Sequence, residues 1–281
     1  MAEPSDRAPR RRRDPWLLVA VAWMALLGGA ALLAPWLPLP DPANDADYAA
    51  LSALPSWAHW LGTDDVGRDL FSRIIWGARI SLTVGLGATA LGLLAGGALG
   101  LSAGYFRGRY EQLVLWVVDV ILAFPPLVAA LAISAVLGPS LLNVTLAIAF
   151  IQIPAFARVT RASTLGYAHR EFVLAAHSLG ASHREVLLRE LLPNVQLSVV
   201  TFALTSVAIA IATEGGLAFL GLSVPPPAAS WGSLIAQGRP VLAEAPHIAL
   251  IPALAMFITV LMLNVIGDAA RKRFDTRGAA L

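Results

Sequence analysis

Long uncharged apolar runs constrain this chain more than any other feature of its sequence. Residues 16–36 and 80–104 contain no charged side chain, and a helix needs roughly 20 mainly apolar residues to cross a hydrocarbon layer of about 30 Å. A backbone that enters lipid must satisfy its hydrogen bonds internally, as helix. Composition agrees, because 14% of the residues are charged, against about 25% in soluble domains. We therefore predict an all-α integral membrane protein.

Further apolar runs raise the expected number of transmembrane helices to about six, at residues 113–137, 141–157, 197–222 and 248–267. The first of these runs contains Pro125 and Pro126, and the second contains Pro154, so both spans are predicted to be kinked. The predicted organisation is a basic tail at 1–15, a first span at 16–36, an outer segment at 37–79, a core at 80–267 that includes a polar loop at 158–196, and a C-terminal tail at 268–281.

The distribution of basic residues predicts the orientation. If the N-terminus is inside, sixteen of the twenty Lys and Arg residues fall in inside segments, as cytoplasmic loops require. Both termini are therefore expected to face the cytoplasm. The long loops at 37–79 and 223–247 then lie outside, at a position suited to the mouth of a pathway.

The second span carries a small residue at every fourth position: Ala88, Gly92, Gly96, Gly100 and Gly104. Such a ridge allows another helix to approach closely, and in lipid this kind of packing drives helix association. The alternative is that these glycines only reflect the general abundance of Gly in membrane helices. We predict a packing ridge.

The polar loop at 158–196 has the pattern of two short helices joined by a tight break. The first has an apolar face, formed by Phe172, Val173, Ala175, Ala176 and Leu179, and ends at Gly180, a residue suited to a left-handed helix stop. Ser182 and Glu185 match a capping box that starts the second, and Pro193 is expected to follow its end. An amphipathic loop on the lipid surface is the alternative. Nucleic acid is disfavoured, because the unit is tethered between membrane spans.

Several kinds of site can be weighed from single residues. Asp119 and Glu214 are ionisable groups inside predicted spans, which makes them candidates for lining a pathway, with a structural hydrogen-bonding role as the alternative. His169, His177 and His183 share no helix face, so no metal site is predicted. The chain has no phosphate-binding loop and no credible pair of nucleophile and base. We expect neither ATP binding nor catalysis by the chain itself.

Residues 171–182, with the sequence EFVLAAHSLGAS, and the following Leu192, Pro193 and Asn194 resemble the EAA loop of bacterial ABC importer permeases. Other strings resemble the C-type subunit of dipeptide, oligopeptide and nickel importers, and the likeness extends over residues 15–277. These strings are HWLGTDDVGRDLFSR at 59–73, GARISL at 77–82, VDVILAFP at 118–125, LAFLGL at 217–222, PAASWG at 227–232 and LNVIGD at 263–268.

This resemblance implies a type I ABC importer transmembrane fold in the inner membrane of a bacterial cell. It also implies that the chain forms one half of an ATP-driven import pathway. The implied partners are a homologous second permease subunit, two ATPase subunits that use ATP and Mg, and an extracytoplasmic solute-binding protein. Peptides are the first expected substrates, followed by nickel chelates and glutathione-like solutes. A self-contained secondary transporter or channel remains the alternative, although the sequence shows no internal repeat.

In this family the loop is a coupling helix that sits in a groove of the ATPase. The residues that carry this role over by position are Glu171, Leu174, Ala175, Ala176, Gly180, Ala181, Ser182 and Pro193. Leu174 departs from the pattern, because an acidic residue usually stands there. Glu171 lies one helical turn earlier and is expected to supply a salt bridge on the same face.

Overall fold

The computed structural model describes residues 15–278, and nearly all regular structure in this range is helical. The parts of the predicted tails at 1–14 and 279–281 lie outside the described residues. The helices are α1 (Pro15–Leu33), α2 (Leu70–Phe106), α3 (Gly108–Leu122), α4 (Pro126–Leu137), α5 (Leu141–Tyr167), α6 (Glu171–Ser178), α7 (His183–Glu185), α8 (Leu192–Phe219), α9 (Trp231–Gly238) and α10 (His247–Gly278).

Within the described residues, five helical stretches are long and apolar enough to cross a membrane, and the bent pair α3 and α4 makes a sixth if it is one span. The prediction of about six transmembrane helices is therefore confirmed. One of the five stretches is a 37-residue run, His183–Phe219, that joins α7 to α8 without a break.

Several spans are longer than their apolar runs predict, among them α2 and α5. α2 begins at Leu70, ten residues before the predicted start, and the Asp69 carboxylate caps it by accepting a hydrogen bond from Ser72 N–H at 2.8 Å. α5 continues to Tyr167, ten residues past the predicted end at 157. The predicted bounds followed side-chain polarity, whereas a helix continues wherever its backbone bonds and packing persist.

The bend between α3 and α4 is sharper than the kink predicted for this span, since the two helix axes differ by 81°. Pro125 has an extended backbone (ψ 127°), and Pro126 is the first residue of α4. Neither residue has an N–H to continue the hydrogen bonds of α3, so the helix ends before them and restarts in a new direction. Pro154, by contrast, lies inside the continuous α5.

The glycine ridge of α2 packs on α5, which confirms the predicted close approach. Ala88 is fully buried. A Cβ added to each glycine would lie within 3 Å of an α5 side chain: Gln152 for Gly92, Phe156 for Gly96, Thr160 for Gly100 and Thr164 for Gly104. The two backbones can lie this close only because the ridge has almost no side chains.

The loop at 223–247 contains a buried helix, α9, that the sequence patterns did not indicate. Trp231 is completely buried, and its Nε1 donates to the Ile74 carbonyl of α2 at 3.0 Å. Gly232 lies directly against the backbone of Gly215 in α8.

The "α9 end" of the bundle is the end where α9 packs between α2, α8 and α10. The "α6 end" is the opposite end.

Candidate functional site

α6 is attached to the bundle by one face and exposes apolar side chains on the other. Val173 is 2% exposed and packs in a cluster with Leu101 of α2 and Phe156 of α5. Leu174 and Leu179, by contrast, are 57% and 88% exposed. The anchored face fixes the position of the helix, and the opposite face presents a small apolar surface.

The turn after α6 is the left-handed stop that the sequence predicted. Gly180 has φ +85°, a conformation that costs other residues roughly 1–2 kcal/mol. Gly180 N–H donates to the His177 carbonyl, and Ala181 N–H donates to the Ala176 carbonyl, both at 3.0 Å. These two bonds make a Schellman motif. Nothing lies within 4 Å of a Cβ added at Gly180, so the turn projects into open space.

The second short helix starts as predicted but does not end as predicted. Ser182 Oγ accepts from Glu185 N–H and the Glu185 carboxylate accepts from Ser182 N–H, so the capping box is confirmed. The chain then passes through a π-helical turn, Val186–Leu191, directly into α8. Pro193 is the second residue of α8 and so lies inside the continuous helical run, just after the π-helical turn. The expected break at Pro193 was wrong.

Except for Pro193, which lies in α8, the predicted coupling residues lie on or beside the corner between α6 and α7. They divide into two groups by exposure. The half-buried ones are Ala176 and Ala181, and the exposed ones are Glu171, Leu174, Ala175, Gly180, Ser182 and Pro193. Glu171 and Leu174 stand one turn apart on the exposed side of α6. Their assignment to coupling stays a prediction.

Asp119 of α3 forms an ion pair with Arg158 of α5. Its Oδ1 accepts from Arg158 Nη2 of α5 at 2.6 Å, and both side chains are more than half exposed. Glu111 and Arg161 form a second ion pair between the same two helices. The geometry gives Asp119 a role in joining α3 to α5, while its place in a pathway stays a prediction.

Glu214 of α8 is fully buried at the α9 end. Ser223 Oγ donates to its Oε1 at 2.6 Å, and Ser81 Oγ of α2 donates to its Oε2 at 3.2 Å. Ser81 Oγ also accepts from Trp231 N–H at 3.2 Å. The carboxylate therefore links α2, α8 and the start of α9, and it is out of contact with solvent in this conformation.

A buried ion pair at the α9 end was missed by sequence reasoning. Arg73 Nη1 donates to the Asp64 carboxylate, and each side chain is 1% exposed. Arg73 Nη1 also donates to Gln237 Oε1 of α9 at 3.1 Å. Both residues lie in the string at 59–73 that resembles C-type subunits, but no contact between them was predicted. Because Gln237 is far from Arg73 in the sequence, the spacing of neighbouring residues could not indicate this network.

Residues 96–278 of the chain match the family described as "Binding-protein-dependent transport system inner membrane component". The chain belongs to this family. It is a multi-pass inner-membrane permease subunit of an ABC importer, as the sequence predicted, and the match does not support the self-contained transporter. The family is a transport permease rather than an enzyme.

Curated relatives cover nearly the whole permease. It is 40% identical over 262 residues to the glutathione transport system permease protein GsiD of Pectobacterium atrosepticum, with 92% of this chain and 87% of the relative covered. It is 41% identical over 268 residues to the GsiD protein of Escherichia coli strain 536, with 95% and 88% covered.

Solved structures show the same fold. The MetNI methionine ABC transporter in inward-facing conformations superposes with a TM-score of 0.59 at 16% identity, over 72% of this chain and 95% of that one. An amino acid ABC transporter superposes with a TM-score of 0.54 at 18% identity, over 72% and 94%. The predicted type I ABC importer fold is confirmed.

Proposed function

We propose that this permease docks onto a partner ATPase through α6 and the Gly180 turn, and that ATP-driven movement of the ATPase reaches the spans through this contact. The observation that supports the proposal is the exposed apolar surface of Leu174 and Leu179 on a helix whose position is fixed by the buried Val173. An exposed apolar surface rimmed by polar residues suits a protein partner.

A protein partner fits this surface better than a lipid surface does. Helices that lie in the membrane interface are rich in Lys and Arg on their polar face. α6 contains Glu171 and His177 but no Lys or Arg. The neighbouring Gly180 turn also projects into open space, which suits insertion into a groove.

The α6 end then faces the cytoplasm, as the distribution of basic residues favours. In the assembly that we propose, two ATPase subunits bind ATP and Mg below the α6 end, and this chain binds neither. A homologous second permease subunit completes the pathway, and a solute-binding protein delivers substrate to the α9 end. Both termini of this chain lie in the cytoplasm.

Two structural links would carry movement from the corner into the membrane. α7 is continuous with α8 through the π-helical turn, so a displacement of the corner reaches that span along one helix. The cluster around Val173 also contacts Leu101 of α2 and Phe156 of α5. The spans would adopt two arrangements. The ATPase with ATP bound would favour the arrangement for which it has the higher affinity.

The substrate that we propose is glutathione or a peptide of similar size. Its support is the 40% and 41% identity to GsiD glutathione permeases over more than nine-tenths of the chain. Asp119 and Glu214 are the ionisable groups that we propose to act along or beside the pathway. Glu214 would do so in a conformation other than this one, because here it is buried.

The docking proposal is tested by substituting Gly180 in the reconstituted complex. Gly180→Trp should abolish both uptake and the stimulation of ATP hydrolysis, because the indole would occupy the space that the ATPase groove needs. Gly180→Ala is the matched control, since it carries the same left-handed strain without the bulk. It should retain most of both activities. Equal behaviour of the two variants would contradict docking at this turn.

The substrate proposal is tested with proteoliposomes that contain the complex and its solute-binding protein. We expect ATP-dependent uptake of labelled glutathione that an unrelated dipeptide or nickel does not compete away. A binding protein that retains nickel or a dipeptide, and not glutathione, would overturn the proposal while leaving the docking assignment intact.

A further inference from the structure

Two histidines from two helices lie within hydrogen-bond distance of the hydroxyl oxygen of a tyrosine from a third helix at the α6 end. Tyr105 lies in the last turn of α2, His177 lies in α6, and His183 is the first residue of α7. The Tyr105 hydroxyl is 2.9 Å from His177 Nε2 and 2.7 Å from His183 Nδ1. Both distances are those of hydrogen bonds.

The chemistry of the hydroxyl allows both bonds at the same time. A tyrosine hydroxyl carries one proton and two lone pairs, so it can donate to one histidine and accept from the other. The Tyr105 and His177 rings are nearly parallel, with an angle of 14° between them. Phe106 packs against the His183 ring with the centroids 5.7 Å apart.

The position of the two histidines gives the cluster its significance. His177 precedes the Gly180 turn and His183 follows it, so one hydroxyl holds both sides of the corner against α2. The apolar contacts around Val173 and Val186 also attach this corner, but such contacts are non-directional. The hydrogen bonds add direction, and they can fix the angle between α6 and α7.

We propose that Tyr105 is a positioning residue that ties the Gly180 turn to α2, so that α2, α6 and α7 move as one body when the ATPase acts. This inference rests on the proposed docking of α6. It adds a third path into the membrane, because α2 is packed along α5 through its glycine ridge.

The test measures whether α6 and α2 move together. The chain has no cysteine, so Ser178→Cys on α6 and Leu94→Cys on α2, both exposed, give a specific pair of spin labels. The distance distribution is recorded by electron paramagnetic resonance in the assembled complex, without nucleotide and trapped with ADP and vanadate. With Tyr105 present, we expect one narrow distribution that is the same in both states.

Tyr105→Phe removes both hydrogen bonds and keeps the ring. We expect the distribution to broaden, or to shift by several ångströms between the two states. Tyr110→Phe is the matched control, because the Tyr110 hydroxyl bonds to Ser102 of α2 at 3.0 Å instead, and it should leave the distribution unchanged. Identical distributions for Tyr105→Phe and the unmodified chain would overturn the proposal.

Conservative histidine variants provide an independent arm of the experiment. His177→Gln and His183→Asn place an amide nitrogen near the ring nitrogen that bonds Tyr105, whereas His177→Leu and His183→Leu remove it. The amide variants should keep the narrow distribution and the leucine variants should lose it. If the amide variants and the leucine variants gave the same distance distributions, the proposal would be overturned.

The outcome is separable from that of the docking proposal. Tyr105→Phe should still co-purify with the ATPase subunits, because the exposed surface of α6 is intact. The docking proposal would be contradicted instead if the unmodified chain did not bind the ATPase, or if Gly180→Trp left uptake and ATP hydrolysis unchanged.

Discussion

Buried charged side chains at one end of this permease contrast with exposed leucines at the other end. At the α9 end, Arg73, Asp64 and Glu214 are buried and bonded to other parts of the same chain. At the α6 end, Leu174 and Leu179 are exposed beside an open turn. These buried charged groups of the α9 end are therefore bonded within the chain, whereas the α6 end has a surface that a partner can complete. Substitutions at the α9 end should change stability, and those at the α6 end should change coupling.

The largest expected effect is that of Asp64→Ala at the α9 end. It leaves the buried Arg73 without its carboxylate, and breaking a buried ion pair from one side costs about 3–5 kcal/mol. We expect a large loss of folded protein, measured by tryptophan fluorescence during thermal unfolding in detergent. Asp65→Ala alters the exposed neighbour and should unfold like the original chain. Similar unfolding of both variants would show that the pair does not stabilise this end.

Glu214 gives the next largest effect. Glu214→Leu leaves the hydroxyls of Ser81 and Ser223 without their acceptor, at a cost of about 1–3 kcal/mol for each buried group left unsatisfied. Glu214→Gln keeps an acceptor oxygen and should assemble normally. If Glu214 also acts in the pathway, the Gln variant will show altered uptake in proteoliposomes. Normal uptake by a fully assembled Gln variant would leave Glu214 with a structural role alone.

At the α6 end, Leu179→Asp should leave stability within about 0.5 kcal/mol of the original, as is usual for exposed positions. The same variant should lose co-purification with the ATPase, because a charge replaces an apolar contact. Trp57→Asp, which changes a 98% exposed residue of the outer segment, is the control and should keep the ATPase bound. Loss of ATPase binding in both variants would mean that the effect is not local to the corner.

The smallest effect is expected from Leu174→Glu, which introduces the acidic residue that the family pattern has at this position. An exposed ion pair contributes about 0–1 kcal/mol and weakens with added salt. We expect equal or slightly tighter ATPase association at low salt, measured by titration of the ATPase onto the purified permease. Weaker association at low salt would show that the partner surface has adapted to a leucine.

Much of the fold followed from local sequence patterns. Apolar runs predicted the spans, and the four-residue spacing of small residues predicted that another helix packs closely on α2. Gly180 and Ser182 predicted the corner between α6 and α7. Each of these signals lies within a few helical turns, where spacing and backbone geometry alone decide the structure.

Other features could not be predicted because they depend on distant partners. Burial of Arg73 in α2 could not be predicted, because its partner Gln237 is 164 residues away in the sequence. α9 was missed because its eight residues are too few to span a membrane, although Ser230 caps it through Ser233 N–H. Pro193 looked like a helix end, but the preceding π-helical turn accommodates it.

Site-specific cross-linking tests the central claim, docking of α6 onto the ATPase, most directly. Because the chain lacks cysteine, Leu179→Cys provides one thiol for a maleimide photo-cross-linker, and Trp57→Cys provides the control at the other end. After illumination of the assembled complex, our account predicts a covalent product of permease and ATPase from Leu179→Cys and none from Trp57→Cys. Absence of that product from Leu179→Cys, or equal amounts from both positions, would contradict it.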